Sequence, residues 1–500
     1  MASNFKNQYL PFPDCAKDMR DSDSDKALKF LLPISLSRSG RGLYFSGLFL
    51  IIFIFSFQSL ASDNKLYPQD ILISVEKNYP EILVAKENII YSEASIKEAK
   101  GEFDAFLSHN YYNRTEGFYD GTSNESLIVK PMPMFNSEIY GGFRHSDGIF
   151  PIYEDKLITN SGGEYLVGIK ASLLRNRAID KDRGKVIEEE LKRNISQHQL
   201  EKVKLEIKFN AMKHYYDWVQ KGWKMKIMKD IYQNNLKQIE ALKIRFNKGE
   251  ISEIALIEGK QLLIRRKIDL QNFAADFQIA SGKLSIFYRS EDVMIVPDIS
   301  SVPSESEILN STPINSFQMD RILAKNPKIQ ILKEQIKIQQ NNIQLGKNSL
   351  NPQADLKLEF SNDEGNGSFA REEEEVVVKL DFSIPLQTNK GKSSVRKAES
   401  KIKQLKHRLR LSEDGVEVEI SNIFKNIENL KEVYELTKEQ INIELAIYNG
   451  EKEKFKSGNS DLFMINQREN SLAQAKISAV KIKFMINMAY NDLRYLSLDI

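Results

Sequence analysis

The residues in this chain that could do chemistry are few and scattered. Five histidines, His109, His145, His198, His214 and His407, include no pair at the i, i+4 spacing of a helical metal site. Cys15 is the only cysteine, so no disulfide or dithiol can form within the chain. No glycine-rich phosphate loop and no nucleophile elbow is present. These absences argue against an enzyme and imply no cofactor and no metal. What does recur is a glycine between polar residues. Lys248-Gly249-Glu250 follows Phe246 closely, and Ser457-Gly458-Asn459 follows Phe455 in the same way, 209 residues later. Glycine supplies a positive φ for a sharp reversal. The chemistry on offer at such a point is recognition by exposed polar groups.

The elements around these turns repeat as well. Asn78-Tyr79-Pro80 and Asn326-Pro327 place their prolines 247 residues apart, and Lys100 and Lys347 keep that offset. A duplication seen at several anchors fixes the architecture as two copies of one unit. Each copy reads as helix, strand pair, very long helix, sharp turn and shorter helix. In the second copy a helix is expected over 319–348, with Ile329, Leu332, Ile336 and Ile343 on one stripe. Ala354, Leu356, Leu358 and Phe360 then alternate with polar residues. After a Gly-rich loop and the acidic run Glu372 to Glu375, so do Val376, Val378, Leu380, Phe382 and Ile384. Such period-two alternation marks strands with one apolar face.

From Lys392 to Phe455 the period changes to three or four, through Val395, Ala398, Ile402, Leu405, Leu409, Ser412, Val416, Ile420, Ile423, Ile427, Leu430 and Tyr434. That is a narrow coiled-coil seam. The first copy repeats it from Asp182 to Phe246, and return helices follow over 253–288 and 461–496. Sixty-odd helical residues span about 100 Å. The chain divides into a leader at 1–61, a first repeat at 62–290 with strands over 105–174, a linker at 291–315, and a second repeat at 316–500 with a strand pair over 353–386. Trp218 and Trp223, mid-helix in the first repeat, are expected in the helix-packing core.

Composition is balanced, with 71 basic and 69 acidic residues, which gives no basic face for nucleic acid. One apolar run, Leu43 to Phe57, has Arg38 and Arg41 before it and Ser59-Leu60-Ala61 after it. Fifteen residues fall short of the roughly 20 needed for a spanning helix. The run reads as a secretory signal cut after Ala61, with Met19 an alternative start and an uncleaved anchor the alternative reading. Cleavage removes 7 basic and 5 acidic residues, leaving 64 of each, and removes Cys15. Any later membrane crossing must be β-structure.

Four strands of about ten residues suit a tilted membrane crossing but cannot close a barrel, whose smallest forms have about eight. Open edges in lipid are forbidden, so copies must share one barrel. Three copies would supply twelve strands above a ring of paired helices. Lys170, Lys379 and Asp381, on polar strand faces, are candidates for the barrel lumen.

The chain resembles the TolC-type outer-membrane efflux proteins over residues 65 to 498. The resemblance rests on the duplication, Tyr79-Pro80 and Asn326-Pro327, the segment Val378 to Leu386 entering the long helix, and Phe455 to Glu469. The last is similar to the family's Gly-x-Ser-Asp-Leu-Phe-x-x-Asn-x-Arg-Glu tip. The resemblance implies a mainly α fold with a β-barrel portion. It implies a homotrimer whose 12-stranded barrel sits in the outer membrane and continues as a long periplasmic α-helical barrel. It also implies a periplasmic adaptor and an inner-membrane pump as partners, and a cargo of small molecules, ions or polypeptides. Docking is then expected at Lys248, Gly249, Glu250, Ser457, Gly458 and Asn459. Only the glycines match the family's Val-Gly-Leu tips. The aspartates that close some members fall at Met464 and Gln467 here, so Glu253, Glu258, Asp461 and Asn466 are the alternative aperture lining. Two rival classes are a periplasmic coiled-coil adaptor and a structural scaffold without a pore. An adaptor would carry one hairpin rather than two, and a scaffold would lack the alternating strands.

Overall fold

A computed structural model describes residues 65–499, apart from 152, 154–157, 309–317 and 368–373. The expected leader at 1–61, with Cys15, Met19 and the apolar run, lies outside the described residues, as do Glu372 and Glu373 and the end of the linker. No helix among the described residues is long and apolar enough to cross a membrane.

The duplication is visible in the order of elements. The first half runs α1 (Pro68–Asn78), α2 (Pro80–Lys100), β1 (Phe106–Arg114), β2 (Gly121–Met132), β3 (Ser137–Gly148), β4 (Gly163–Ser172), α3 (Lys181–Asn247) and α4 (Glu253–Ser285). A small hairpin, β5 (Arg289–Ser290) and β6 (Val293–Met294), and the short α5 (Glu305–Ile308) occupy the connection. The second half runs α6 (Met319–Lys325), α7 (Pro327–Asn348), β7 (Gln353–Glu364), β8 (Glu375–Ser383), α8 (Asn389–Lys456) and α9 (Leu462–Ser497). Pro80 and Pro327 both open a helix, where the missing N–H costs nothing. The single helix expected over 319–348 is therefore two. Asn326 makes the break, its Oδ1 accepting from Lys328 N at 3.0 Å and Ile329 N at 3.3 Å.

The two long helices have 67 and 68 residues, each about 100 Å at the α-helical rise. A helix of that length must be covered in stages. α2 and α4 both pack on α3, while α7 and α9 both pack on α8; α7 and α9 also touch α3 and so join the two halves. The largest apolar cluster lies where the stages meet on α3. It holds Ile71 and Val75 of α1, Tyr215 and Trp218 of α3, and Leu284 of α4. Its counterpart on α8 joins Ile322 of α6, Ile420 and Ile427 of α8, and Leu493 of α9. The tryptophans are core, as expected. Trp218 Nε1 donates to Ser281 Oγ at 3.0 Å, and Trp223 Nε1 to the Pro303 carbonyl at 2.8 Å.

The described part of the connection, before residue 309, is tied to the bundle. Val302 is fully buried on the α3 core. Lys483 of α9, only 2% exposed, donates to Glu305 Oε1 at 2.7 Å and lies 5.4 Å from the centroid of the Trp223 ring.

The strands correct the expected count. They form one antiparallel sheet of six, in the order β1-β2-β3-β4-β7-β8, with four from the first half instead of a pair. The missed strands, β2 and β3, carry Asn124, Glu125, Lys130, Gly141 and Gly142, so polar or small residues fall on both faces. That composition erases the period-two signal, and backbone pairing alone reveals them.

Candidate functional site

The two helical turns are built alike. Gly249 and Gly458 have φ of +77° and +82°. Glu250 N donates to the Arg245 carbonyl at 2.9 Å and Gly249 N to Phe246 at 2.8 Å. Asn459 N to Lys454 at 2.8 Å and Gly458 N to Phe455 at 3.1 Å repeat the pattern. This is a Schellman cap, in which glycine takes the left-handed position and satisfies carbonyls the helix end would leave free. A Cβ at either glycine would meet no atom within 4 Å. Lys248, Glu250 and Asn459 are exposed, Glu250 bonding Arg245 Nε at 3.3 Å. Ser457 caps α8, its Oγ donating to Lys454 at 2.9 Å.

The tips also touch each other. Arg245 stacks over the Phe455 ring, 5.5 Å from its centroid. Between the hairpins lies an apolar cavity of about 160 Å³, lined by Leu242, Arg245, Tyr448, Phe455, Leu462 and Ile465. Sequence reasoning missed this cavity because its walls come from both repeats; Phe455, already a turn anchor, was the one signal.

The four aperture candidates separate. Asp461 caps α9, accepting from Met464 N at 2.8 Å, and Glu253 opens α4, where the helix dipole favours an acid. Glu258 is exposed. Asn466 is partly buried, with Oδ1 unpartnered. Three residues deeper, an unforeseen polar layer crosses the bundle. Asn235 of α3 donates to buried Glu469 of α9 at 2.7 Å, and Arg266 of α4 donates to Asn470 at 3.3 Å. Burial pushes the Glu469 carboxyl above its usual range, against the pull of Asn235, Arg266 and Lys452.

The sheet sorts its residues by face. Val376, Val378, Leu380 and Phe382 lie opposite Phe360, Leu358, Leu356 and Ala354, so all share one face. Tyr165, Val167 and Ile169 of β4 continue it. The other face is charged. Lys170 pairs with Glu138 at 3.6 Å, and Lys379 with Asp381 at 2.9 Å. The register puts all three lumen candidates on this face together with Glu359. Arg144 bridges Glu125 at 2.6 Å and Glu164 at 2.8 Å. Tyr140 reaches across Gly168, where a side chain would collide with its ring, to donate to Glu359 at 2.7 Å. On the charged face Glu359 is 6% exposed but Lys379 and Asp381 have side chains 51% and 55% exposed, while Val378 and Leu380 on the other face are 65% and 60% exposed. A sheet face that bares its aliphatics departs from the arrangement expected in water. Of the histidines, His109 bonds Ser126 Oγ at 2.9 Å, and no cluster among the described residues could hold a metal.

No protein-family model matches the sequence, and no curated protein matches it either. Solved structures do match. The outer-membrane channel OprN aligns at TM-score 0.62 and 12% identity, over 86% of this chain and 89% of that one. The outer-membrane protein VceC of Vibrio cholerae aligns at 0.62 and 11%, over 86% and 95%. The open state of the Neisseria gonorrhoeae MtrE outer-membrane channel aligns at 0.60 and 13%, over 86% and 88%. At these identities the likeness is one of fold: the chain has the fold of the TolC-type outer-membrane efflux channels.

Proposed function

We propose that this chain, as a homotrimer, is an outer-membrane exit channel of a tripartite efflux or type I secretion system. The sheet would complete a barrel in the lipid bilayer, and the helices would carry the conduit into the periplasm. The observation that supports this most is the facing of the sheet. Its bare face, with Val378, Leu380 and Phe382, suits lipid, while its charged face suits a water-filled lumen. Hairpins about 100 Å long would reach toward an inner-membrane pump. Their tips, with Lys248, Gly249, Glu250, Ser457, Gly458 and Asn459, would meet a periplasmic adaptor. The apolar cavity beside Phe455 would receive an adaptor side chain. Lys170, Lys379 and Asp381 would line the lumen, and Glu253, Glu258, Asp461 and Asn466 the narrow end. Small molecules, ions or polypeptides would be the cargo, and the role needs no catalysis. The fold likeness to proteins named as outer-membrane channels supports the location. An adaptor or a scaffold would have no use for an apolar outer sheet face.

The test is fractionation and reconstitution. The full-length protein should enter the outer-membrane fraction as a trimer starting near Ser62, conduct ions in planar bilayers, and co-purify an adaptor. Recovery as a water-soluble species without conductance would overturn the channel.

A further inference from the structure

We propose that the conduit directly beneath the sheet is a cationic collar built on α8, which passes anions in preference to cations, so that the cargo is anionic. This rests on the trimeric-channel reading and adds what that reading leaves open, the charge class of the cargo.

The collar is a run of like charge. Between Lys390 and Arg410 the chain has nine lysines and arginines and a single acid, Glu399. All ten are exposed. α8 begins six residues after β8 ends, and the stretch from Lys390 to Arg410 rises about 30 Å. Among the described residues, Arg410 alone of the nine has a carboxylate near it, Asp414 at 4.0 Å. The sheet differs. There Lys379 is held by Asp381 at 2.9 Å and Arg144 by Glu125 at 2.6 Å.

The other helices beneath the sheet do not supply the missing anions. α7 has four lysines and one acid, α2 has three lysines and four acids, and α3 from Lys181 to Glu201 has five bases and five acids. The one acid of α7, Glu334, is buried and bound to Lys337 at 2.6 Å.

The cations reach the conduit whichever way α8 is turned about its axis. Here α8 packs on α7, with Val395 set against Gly346 and with Gly391, Ala398 and Leu405 buried. At about 100° per residue, Lys390, Lys397, Lys401 and Arg408 form one column. Lys392, Arg396, Lys403 and Arg410 form another, and the two stand about 110° to either side of the buried seam. Ser393 and Ser400 lie between the columns, on the side away from α7. α8 packs on α7 and α9, and α2 packs on α3, so α8 and α2 are the end helices of the chain at this height. A ring of three chains closes by setting α2 of the next chain against the serine edge. A helix with neighbours on two opposite sides turns one flank inward and the other outward. Either flank gives the conduit four cations from each chain. A passage walled by one sign of charge concentrates the opposite ion, and rings of Lys and Arg line pores that pass anions.

Planar-bilayer recording of the full-length trimer in a potassium chloride gradient tests the collar. The parent should pass chloride several-fold over potassium, and pyrophosphate should block the current. Two variants separate the flanks. One combines Lys390→Glu, Lys397→Glu, Lys401→Glu and Arg408→Glu, and the other Lys392→Glu, Arg396→Glu, Lys403→Glu and Arg410→Glu. One set should turn the selectivity to potassium and lose the pyrophosphate block, while the other leaves both as in the parent. The same sets changed to Gln stand in where a glutamate set fails to form trimers, and there selectivity should vanish rather than reverse. A conducting parent that does not prefer chloride, or unchanged selectivity in both sets, would overturn the collar while leaving the channel reading standing. A trimer that does not conduct would overturn both.

Discussion

The buried lysine of α9 should respond asymmetrically to loss of either partner. Lys483 is 2% exposed, yet its counter-ion Glu305 has a side chain 54% exposed. The Glu305 carboxylate also accepts from Tyr434 Oη at 3.2 Å, and burial with this carboxylate pushes the Tyr434 phenol up to about 12. Removing the lysine frees an anion that water can reach. Lys483→Met keeps the apolar stem against Trp223, so the cost should stay below about 1 kcal/mol, as for exposed pairs. Glu305→Ala strands an ammonium in the core with only the Trp223 face and the Glu305 carbonyl, 3.2 Å away. Breaking a buried pair from that side costs about 3 kcal/mol. The double variant should match Lys483→Met alone, since the stranded charge is gone. Burial also holds the Lys483 ammonium below the ordinary lysine range, so the unfolded chain binds this proton more tightly. The Glu305→Ala deficit should therefore shrink as pH rises toward the unfolded lysine value of about 10.4. Both tryptophans lie in this cluster, so urea unfolding of the purified trimer followed by their fluorescence reads the effect. Equal costs for the two single variants, or a worse Lys483→Met, would refute the argument.

Three further outcomes are expected. Leu380→Arg should cost about 2–4 kcal/mol in the bilayer and deplete assembled trimer, while Lys379→Glu costs under about 1 kcal/mol; equal trimer levels on membrane gels would reverse the facing. Gly249→Val with Gly458→Val should add about 1–2 kcal/mol of backbone strain at each turn and no clash, so trimers should form while adaptor crosslinking and export fail. Normal export at normal trimer level would move the docking surface elsewhere. Glu469→Gln should raise the urea midpoint at pH 7 and flatten its acid-side dependence. The raised Glu469 carboxyl makes the folded chain hold this proton more tightly, so its stabilisation is present below about pH 4.3 and fades as pH rises through the folded value. A lower midpoint than the parent at pH 7 would show that the ionised form is the stabilising one.

The duplication, the long helices, the glycine turns and the second-half strand pair were legible because each is a local or periodic signal. Of the residues read as a seam, Ala398, Leu405, Ile420, Ile427 and Leu430 are buried and the others partly buried. Gly249 and Gly458 take the positive φ expected of glycine where the chain turns back from each long helix. Lys170, Lys379 and Asp381 could be placed on polar faces by alternation alone. Other features depend on residues far apart in the chain. β2 and β3 have no apolar period and exist through their ladders and the Arg144 bridges. The tip cavity, the Asn235–Glu469 layer and the Lys483–Glu305 pair join elements separated by more than 170 residues. Periodicity reports which face of a segment is apolar, and that was enough to determine two tall hairpins beneath a strand region. Which segments pair, how many strands a sheet holds and which charges meet are decided by partners distant in sequence, so the tertiary structure alone settled them.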